Sequence, residues 1–225
     1  MKLPLATMAA ALAALLAFVP FARAKAGAEA RGAHSVSLLT DSSLSGWRLI
    51  SEPATQMANV CHLGPDGVLW IAGKPSGFIE TRASFANYRL HVEWRWAGHT
   101  GNGGILLHVS SGPMDRVWPL SYQIQLKHGY VGDVLPMAGA PFATPLTTPP
   151  GARVPLRSHL MPDSERPAGE WNSCDIVCRG GEILATVNGV LQNRIEGCRF
   201  TSGPIGIQFE GTPMEFRNIR LTPLD

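Results

Sequence analysis

The stretch NYRLHVEWRWAGHTGNGGILLH, residues 87–108, decides how this chain is read. Leu90, Val92, Trp94 and Trp96 alternate with His91, Glu93 and Arg95. Beyond a glycine-rich turn, Ile105, Leu107 and Val109 alternate with Leu106 and His108. A period of two puts each set on its own face of a strand. The stretch therefore predicts two strands with one apolar face and a second face carrying carboxylate, guanidinium and imidazole groups.

The same alternation recurs further along. SYQIQL, residues 121–126, separates Tyr122, Ile124 and Leu126 from Gln123 and Gln125, and IGIQFE, residues 205–210, separates Ile205, Ile207 and Phe209 from Gln208 and Glu210. Helical periodicity is nearly absent after the N-terminal segment, and 24 glycines and 18 prolines punctuate short runs of β-branched and aromatic residues. Strands are expected at 36–39, 67–72, 77–82, 87–96, 103–109, 121–126, 173–179, 182–187, 190–195, 204–210 and 214–222. VNGV at 187–190 has the Asn-Gly pair of a two-residue hairpin, and RGGE at 179–182 makes another tight turn. Many short antiparallel strands joined in this way form an all-β sandwich or jelly roll. The segment 132–170 is rich in proline and aperiodic; a loop of that length inside one domain is expected to form a rim or lid over a site.

Bulk properties narrow the function. Residues 1–24 have a lysine, a short apolar run and Ala22-Arg23-Ala24, the pattern of a signal peptide cut after Ala24, so a periplasmic or secreted protein is expected. Residues 25–35 are expected as a flexible N-terminal segment and 36–225 as a single domain. The whole chain has 19 basic and 17 acidic side chains; without Lys2 and Arg23 the count is 17 against 17. A neutral domain with no run of Lys or Arg is a poor partner for nucleic acid or an anionic membrane. No stretch after the leader is apolar for long enough to span a bilayer. Cys174 and Cys178, about 13 Å apart along a strand, are too distant to pair with each other, which leaves two connectivities if all four cysteines at 61, 174, 178 and 198 pair; a domain of this size does not need disulfides, so free or partly paired cysteines are expected.

The non-core faces are unusual in kind. An ordinary solvent face favours Lys, Glu, Thr and Ser, whereas these strands carry amides, His91, His108, Arg95, Glu93 and Glu210. A merely solvated face with a weak Glu93–Arg95 pair is the bland alternative. Amides beside charge-paired carboxylates suit a neutral, hydroxyl-rich small molecule, the description of a carbohydrate. Tyr122, Trp118 and Tyr130 are candidate stacking surfaces, while Trp47, Trp70, Trp94, Trp96 and Trp171 are assigned to packing.

LLTDSSLSGWRL, DGVLW, NYRLHVEWRW, GNGGILLH, VWPLSYQIQLKHGYVGD, GEWNSCDIVCRGGEI, VNGVLQN and GPIGIQFEGTPMEFRNIRL follow one another in the order that resembles the 3-keto-disaccharide hydrolase family, from about Val36 to Leu221. The resemblance implies a concanavalin A-like (LamG-like) jelly-roll sandwich of two antiparallel sheets and exported work on 3-keto-glycosides. A ketone at C3 acidifies the C2 proton, so a base can remove it, the enolate can expel the C1 oxygen, and water can add to the unsaturated ketone. Such a route needs one base and a partner for the enolate oxygen, not the paired carboxylates of an ordinary glycosidase.

On that resemblance Glu93 or Glu210 is expected as the base and Arg95 at the enolate oxygen, with His108 among the catalytic groups and on substrate hydroxyls. Asn102, Gln125 and Gln208 are expected on substrate hydroxyls. His128 and Asp133 in KHGYVGD are expected to bind substrate, to transfer a second proton or to hold a divalent metal, since some members of the family use one; a glycine-rich turn with polar decoration is the competing reading. Gln123 stands where many relatives have Glu, and glutamine cannot serve as a base, so Gln123 is assigned to substrate binding. The rivals to an enzyme are a non-catalytic carbohydrate-binding module and a LamG-type protein-interaction sandwich. Within GEWN, Glu170, Trp171 and Asn172 are expected to fix backbone geometry.

Overall fold

A computed structural model of the chain describes residues 34–225. The leader expected over 1–24 and residues 25–33 of the N-terminal segment lie outside the described residues. In chain order the elements are β1 (Val36–Ser37), β2 (Trp47–Glu52), the single-turn helix α1 (Met57–Val60), β3 (Cys61–Leu63), β4 (Leu69–Ile71), β5 (Ser76–Thr81), β6 (Tyr88–Trp96), β7 (Asn102–Asp115), β8 (Trp118–Gln125), β9 (Val134–Met137), β10 (Asn172–Arg179), β11 (Glu182–Val187), β12 (Val190–Ile195), β13 (Gly206–Glu210) and β14 (Met214–Pro223).

They form two antiparallel sheets. One runs β12-β11-β10-β6-β14-β4-β3 with β1 also on β14; the other runs β2-β5-β13-β7-β8-β9. Strands distant in sequence lie side by side in both, which is the crossing pattern of a jelly roll. The alternating apolar residues meet between the sheets. Leu90, Val92, Trp94 and Trp96 from β6 and Ile176 from β10 belong to the same buried cluster as Ile105, Leu107, Tyr122, Ile124, Ile207 and Phe209 from the facing sheet. Trp94 and Trp96 pack edge to face with centroids 5.4 Å apart. At the β11–β12 hairpin Asn188 and Gly189 have φ of 49° and 82°, as the Asn-Gly pair predicts.

Two departures from the sequence reading set where the site is. Strands β6 and β7 are consecutive but do not pair: residues 97–101 carry the chain from one sheet to the other. The crossing is tight, since a Cβ on Gly101 would lie 2.2 Å from the Thr212 hydroxyl. The polar faces of β6 and β7 therefore look outward from opposite sides of the sandwich. The second departure is a bulge in β7, where His108 has φ 51° and the register with β8 shifts between Leu107 and Ser111. An extra residue there exchanges the two faces: His108 meets the core ring of Tyr88 edge-on at 5.5 Å, and Val109 joins Leu106 and Phe78 on the outer side.

The segment 132–170 is less featureless than its composition implied. It supplies β9, which pairs with β8, and Val134 also bridges to Arg157. All four cysteines are free and buried. Burial pushes the Cys61, Cys178 and Cys198 thiols up to about 12 and Cys174 further still, so none is a ready nucleophile. No helix among the described residues is long and apolar enough to cross a membrane.

Candidate functional site

The outer face of the six-stranded sheet carries a hollow of about 870 Å³. Its polar end is made where β13 ends, β7 begins and β8 ends, because antiparallel pairing brings Glu210 opposite Asn102 and Gly104 opposite both Gln208 and Gln125. Asn102, Gln123, Gln125, Gln208, Glu210 and Lys127 all line it. Gly104 is what lets the amides gather, since a Cβ on it would lie 2.6 Å from Gln123 Nε2.

Hydrogen bonds within this cluster are incomplete. Asn102 Nδ2 donates to Glu210 Oε2 at 2.7 Å, Gln208 Nε2 to the same oxygen at 3.5 Å, and Gln123 Nε2 to Gln125 Oε1 at 2.8 Å. The carbonyl oxygens of Asn102, Gln123 and Gln208 have no protein partner. Buried polar atoms are nearly always paired, and three unpaired acceptors stand together behind the lining of this one hollow. Glu210 is the carboxylate among them; Asp115, exposed at the far end of β7, is the other that lines the hollow. The segment 138–155 forms a wall through Pro141, Phe142, Leu146, Val154 and Pro155, which makes it the rim expected of 132–170.

The remaining expected residues lie elsewhere. Glu93 and Arg95 stand on β6, on the outer face of the eight-stranded sheet, so the expectation that they share a hollow with Gln125 and Glu210 is corrected. There they are already partnered. Arg217 Nε donates to Glu93 at 2.5 Å and Asn218 Nδ2 at 3.0 Å; Arg95 pairs with Glu215; His91 Nδ1 meets Asp175 at 2.8 Å. Burial pulls the Glu93 carboxyl up, but the bonds from Arg217 and Asn218 outweigh it and leave the group below its ordinary range. The Arg95 and Arg217 guanidiniums lie 4.5 and 4.0 Å from the centroid of the Trp171 ring. Trp171 thus packs under cations, not in the interior.

His108 is turned inward by the bulge and does not line the hollow. Its Nδ1 is 3.1 Å from the Phe200 carbonyl and its Nε2 3.2 Å from that of Ala86. Burial lowers its proton affinity, and the two carbonyls oppose this without cancelling it. His128 and Asp133 are pins for the long segment. His128 Nδ1 contacts Glu165 at 2.7 Å, and Glu165, itself buried, also accepts from Trp96 Nε1 at 2.7 Å. Asp133, 1% exposed, accepts from the His159 backbone N–H at 2.8 Å and contacts His159 Nδ1 at 2.6 Å. Their competing reading as a decorated turn is nearer the geometry. In GEWN, Asn172 Oδ1 accepts from the Arg166 N–H and from Asn188 Nδ2, both at 2.8 Å, and so fixes backbone. Tyr122 is a core residue whose hydroxyl donates to the Pro141 carbonyl at 2.8 Å.

The donor set does not fit a divalent metal. Among the described residues no three His, Cys, Asp or Glu side chains are placed to hold one, and no histidine lines the hollow. Two residues escaped the sequence reading. Lys127 continues the period of Gln123 and Gln125 by one more step, a signal that was available; Glu165, in an aperiodic segment, had none.

A two-sheet jelly roll with an amide-lined hollow across one sheet defines a concanavalin-like sandwich. Within that class, the chain belongs to the family of 3-keto-alpha-glucoside-1,2-lyase-like domains, whose model matches residues 34–222. Solved structures agree on the fold. A protein of Parabacteroides distasonis assigned as a glycosyl hydrolase aligns with a TM-score of 0.62 at 19% identity, covering 85% of this chain and 94% of that one. The Bacillus licheniformis β-glucanase aligns at 0.54 and 14% identity over 88% and 100% of the chains, and the Bacillus subtilis carbohydrate-binding module CBM66 at 0.51 and 13% over 77% and 93%. No curated protein matches the sequence.

Proposed function

We propose that this protein cleaves 3-keto-glycosides in the hollow of the six-stranded sheet, with Glu210 as the base. The observation that carries this reading is Glu210 held by Asn102 at 2.7 Å among three amides with unpaired carbonyl oxygens. Those oxygens accept hydroxyls of the sugar and set its C2–H bond toward the carboxylate. Glu210 takes the C2 proton and the bond's electron pair passes into the C2–C3 enolate. The enolate re-forms the ketone by expelling the C1 oxygen, which departs with the proton returned by Glu210, and a C1–C2 double bond remains; water then adds its oxygen to C1 and a proton to C2, so the sum is hydrolysis. Lys127, whose ammonium rests 4.9 Å from the centroid of the Tyr130 ring, is the cation of the polar end and is assigned to the enolate oxygen, the role first expected of Arg95.

One carboxylate suffices for this route, which agrees with the single one at that end. Gln123 is an amide where the resemblance implies Glu in many relatives, and, hydrogen-bonded to Gln125, it is assigned to binding. The leader expected over residues 1–24 supports an activity in the periplasm or outside the cell. The test is turnover of a 3-keto-glucoside by the protein and by Glu210→Gln, which retains the hydrogen bond but not the basicity. Loss of roughly a hundredfold or more in kcat is expected for a general base. A second reading, a carbohydrate-binding module, is favoured by Gln123; saturable sugar binding without release of the leaving group would establish it.

A further inference from the structure

The hollow changes character along its length. Its far stretch is lined by Trp118 at the start of β8, Leu135 and Met137 on β9, and Met114, Leu146 and Val154. The change is written into the strand register. Gln123 pairs with Leu135 and Ser121 with Met137, so β9 lays apolar side chains beside Gln123 and onward toward Trp118. From Gln123 to Trp118 is about 16 Å at the rise of a strand. Beneath, Trp118 and Met137 rest on Phe78, Leu106 and Val109, a cluster apart from the main core that fills the outer side of the sheet. Val109 reaches that side because of the bulge at His108. Met114 and Val154 remain 60% and 51% exposed although they line a hollow. The charged groups of this stretch, Asp115 and Arg153, are both exposed.

We infer that the apolar stretch is the leaving-group subsite and that the glycoside taken here carries a flat, apolar aglycone, not a second sugar; this rests on the reading of the polar end as the sugar site. A volume of about 870 Å³ lies in the upper part of the range for drug-sized ligands. With the sugar at the amides, the C1 substituent has to lie along Leu135, Met137 and Trp118. A second sugar would bring hydroxyls against Leu135 and Met137, which offer no hydrogen-bond partner, with only the Trp118 N–H and the exposed Asp115 and Arg153 at the edge to receive them, and unpaired polar groups are disfavoured there. An aromatic ring loses nothing on leaving water and gains the indole as a stacking partner.

The test compares two 3-keto-glucosides whose leaving groups are alcohols of similar acidity, a naphthylethyl group and a glucosyl unit, so that intrinsic reactivity does not decide the outcome. The naphthylethyl compound is expected to have a kcat/KM higher by about tenfold, carried by KM. Trp118→Ala is expected to shrink that ratio by about tenfold, and the exposed pair Met114→Ser with Val154→Ser, which leaves the fold untouched, by about threefold. An equal or inverted preference overturns the inference while leaving the reaction intact. Calorimetry with the two unoxidised glucosides separates the readings. Tighter, Trp118-dependent binding of the naphthylethyl glucoside upholds the subsite even if neither keto-glycoside is cleaved, a result that would instead sink the proposed reaction. Indifference to the aglycone in binding overturns the subsite. So does a dimer in sedimentation that Met114→Ser with Val154→Ser abolishes, because it gives this surface to a second copy.

Discussion

The two outer faces of the sandwich carry similar side chains and opposite states of satisfaction. On the eight-stranded sheet every charge that matters has a partner: Glu93 with Arg217 and Asn218, Arg95 with Glu215, His91 with Asp175, and Trp171 beneath both guanidiniums. On the six-stranded sheet the amides leave three oxygens unpaired and one carboxylate waits beside them. Residue type alone therefore does not locate a binding face. Unspent hydrogen-bonding capacity does, since a closed network has nothing left to offer a ligand.

The largest effect that tests this contrast is catalytic. Glu210→Gln is expected to lower kcat for a 3-keto-glucoside by about a hundredfold or more, and Glu93→Gln to leave it within about twofold. Steady-state kinetics on the two variants would reverse the assignment of faces if Glu93→Gln proved the damaging one.

Next comes the backbone opening that admits the amides. Gly104→Ala puts a methyl within 2.6 Å of Gln123 Nε2, and Gln123 is 1% exposed with little room to retreat. Displacing it is expected to raise KM by about tenfold with a smaller change in kcat, the signature of lost substrate binding. An unchanged KM would mean that Gln123 does not touch the sugar.

How much of this could be read from the chain follows from what period two encodes. It separated inner from outer faces in β6, β8 and β13 and foretold an all-β sandwich, because each buried face needs an unbroken row of apolar residues. It carried no information on which sheet a strand joins. Glu93 and Glu210 looked equivalent for that reason, and only the tight crossing at Gly101 divides them. His108 was misplaced by one bulged residue, which a simple alternation cannot anticipate. Strands β3 and β9 escaped because each is short or lies in a proline-rich setting, and β2 because Leu49 and Ile50 stand side by side and break its alternation; β9, at the middle of the apolar wall, mattered most. The family's sequence motifs supplied the fold name, while the composition of the hollow came from strand pairing.

A smaller effect probes the saturated face. Glu93→Ala removes the acceptor of both Arg217 and Asn218. Arg217 is 39% exposed and keeps its stacking on Trp171, so solvent screening and that contact limit the cost to about 1 kcal/mol in urea unfolding. Activity is expected to stay at the parent level. A much larger loss of stability would show that the network, and not the core between the sheets, holds β6 against β14.

The smallest effect is a pH slope at the bulge that reassigned the faces. His108 is buried between the Phe200 and Ala86 carbonyls, and a neutral imidazole has one N–H, so it can satisfy only one of them. Burial nevertheless dominates and holds its proton affinity below the ordinary value of 6.5. The unfolded chain then binds a proton in a window just below 6.5 that the folded chain refuses, so stability rises with pH across that window and falls on acidification. Glu93 acts in a separate, more acidic window: its folded carboxyl lies below 4.5, so its contribution is present above 4.5 and lost as pH falls through the folded value. Comparing urea midpoints at about pH 7.5 and about pH 5.5 isolates the histidine. The parent protein is expected to lose more stability over that interval than His108→Gln, whose amide can donate to one carbonyl without titrating. An equal loss in both would mean that His108 is free to protonate where it stands, and that the bulge exposes it instead of burying it.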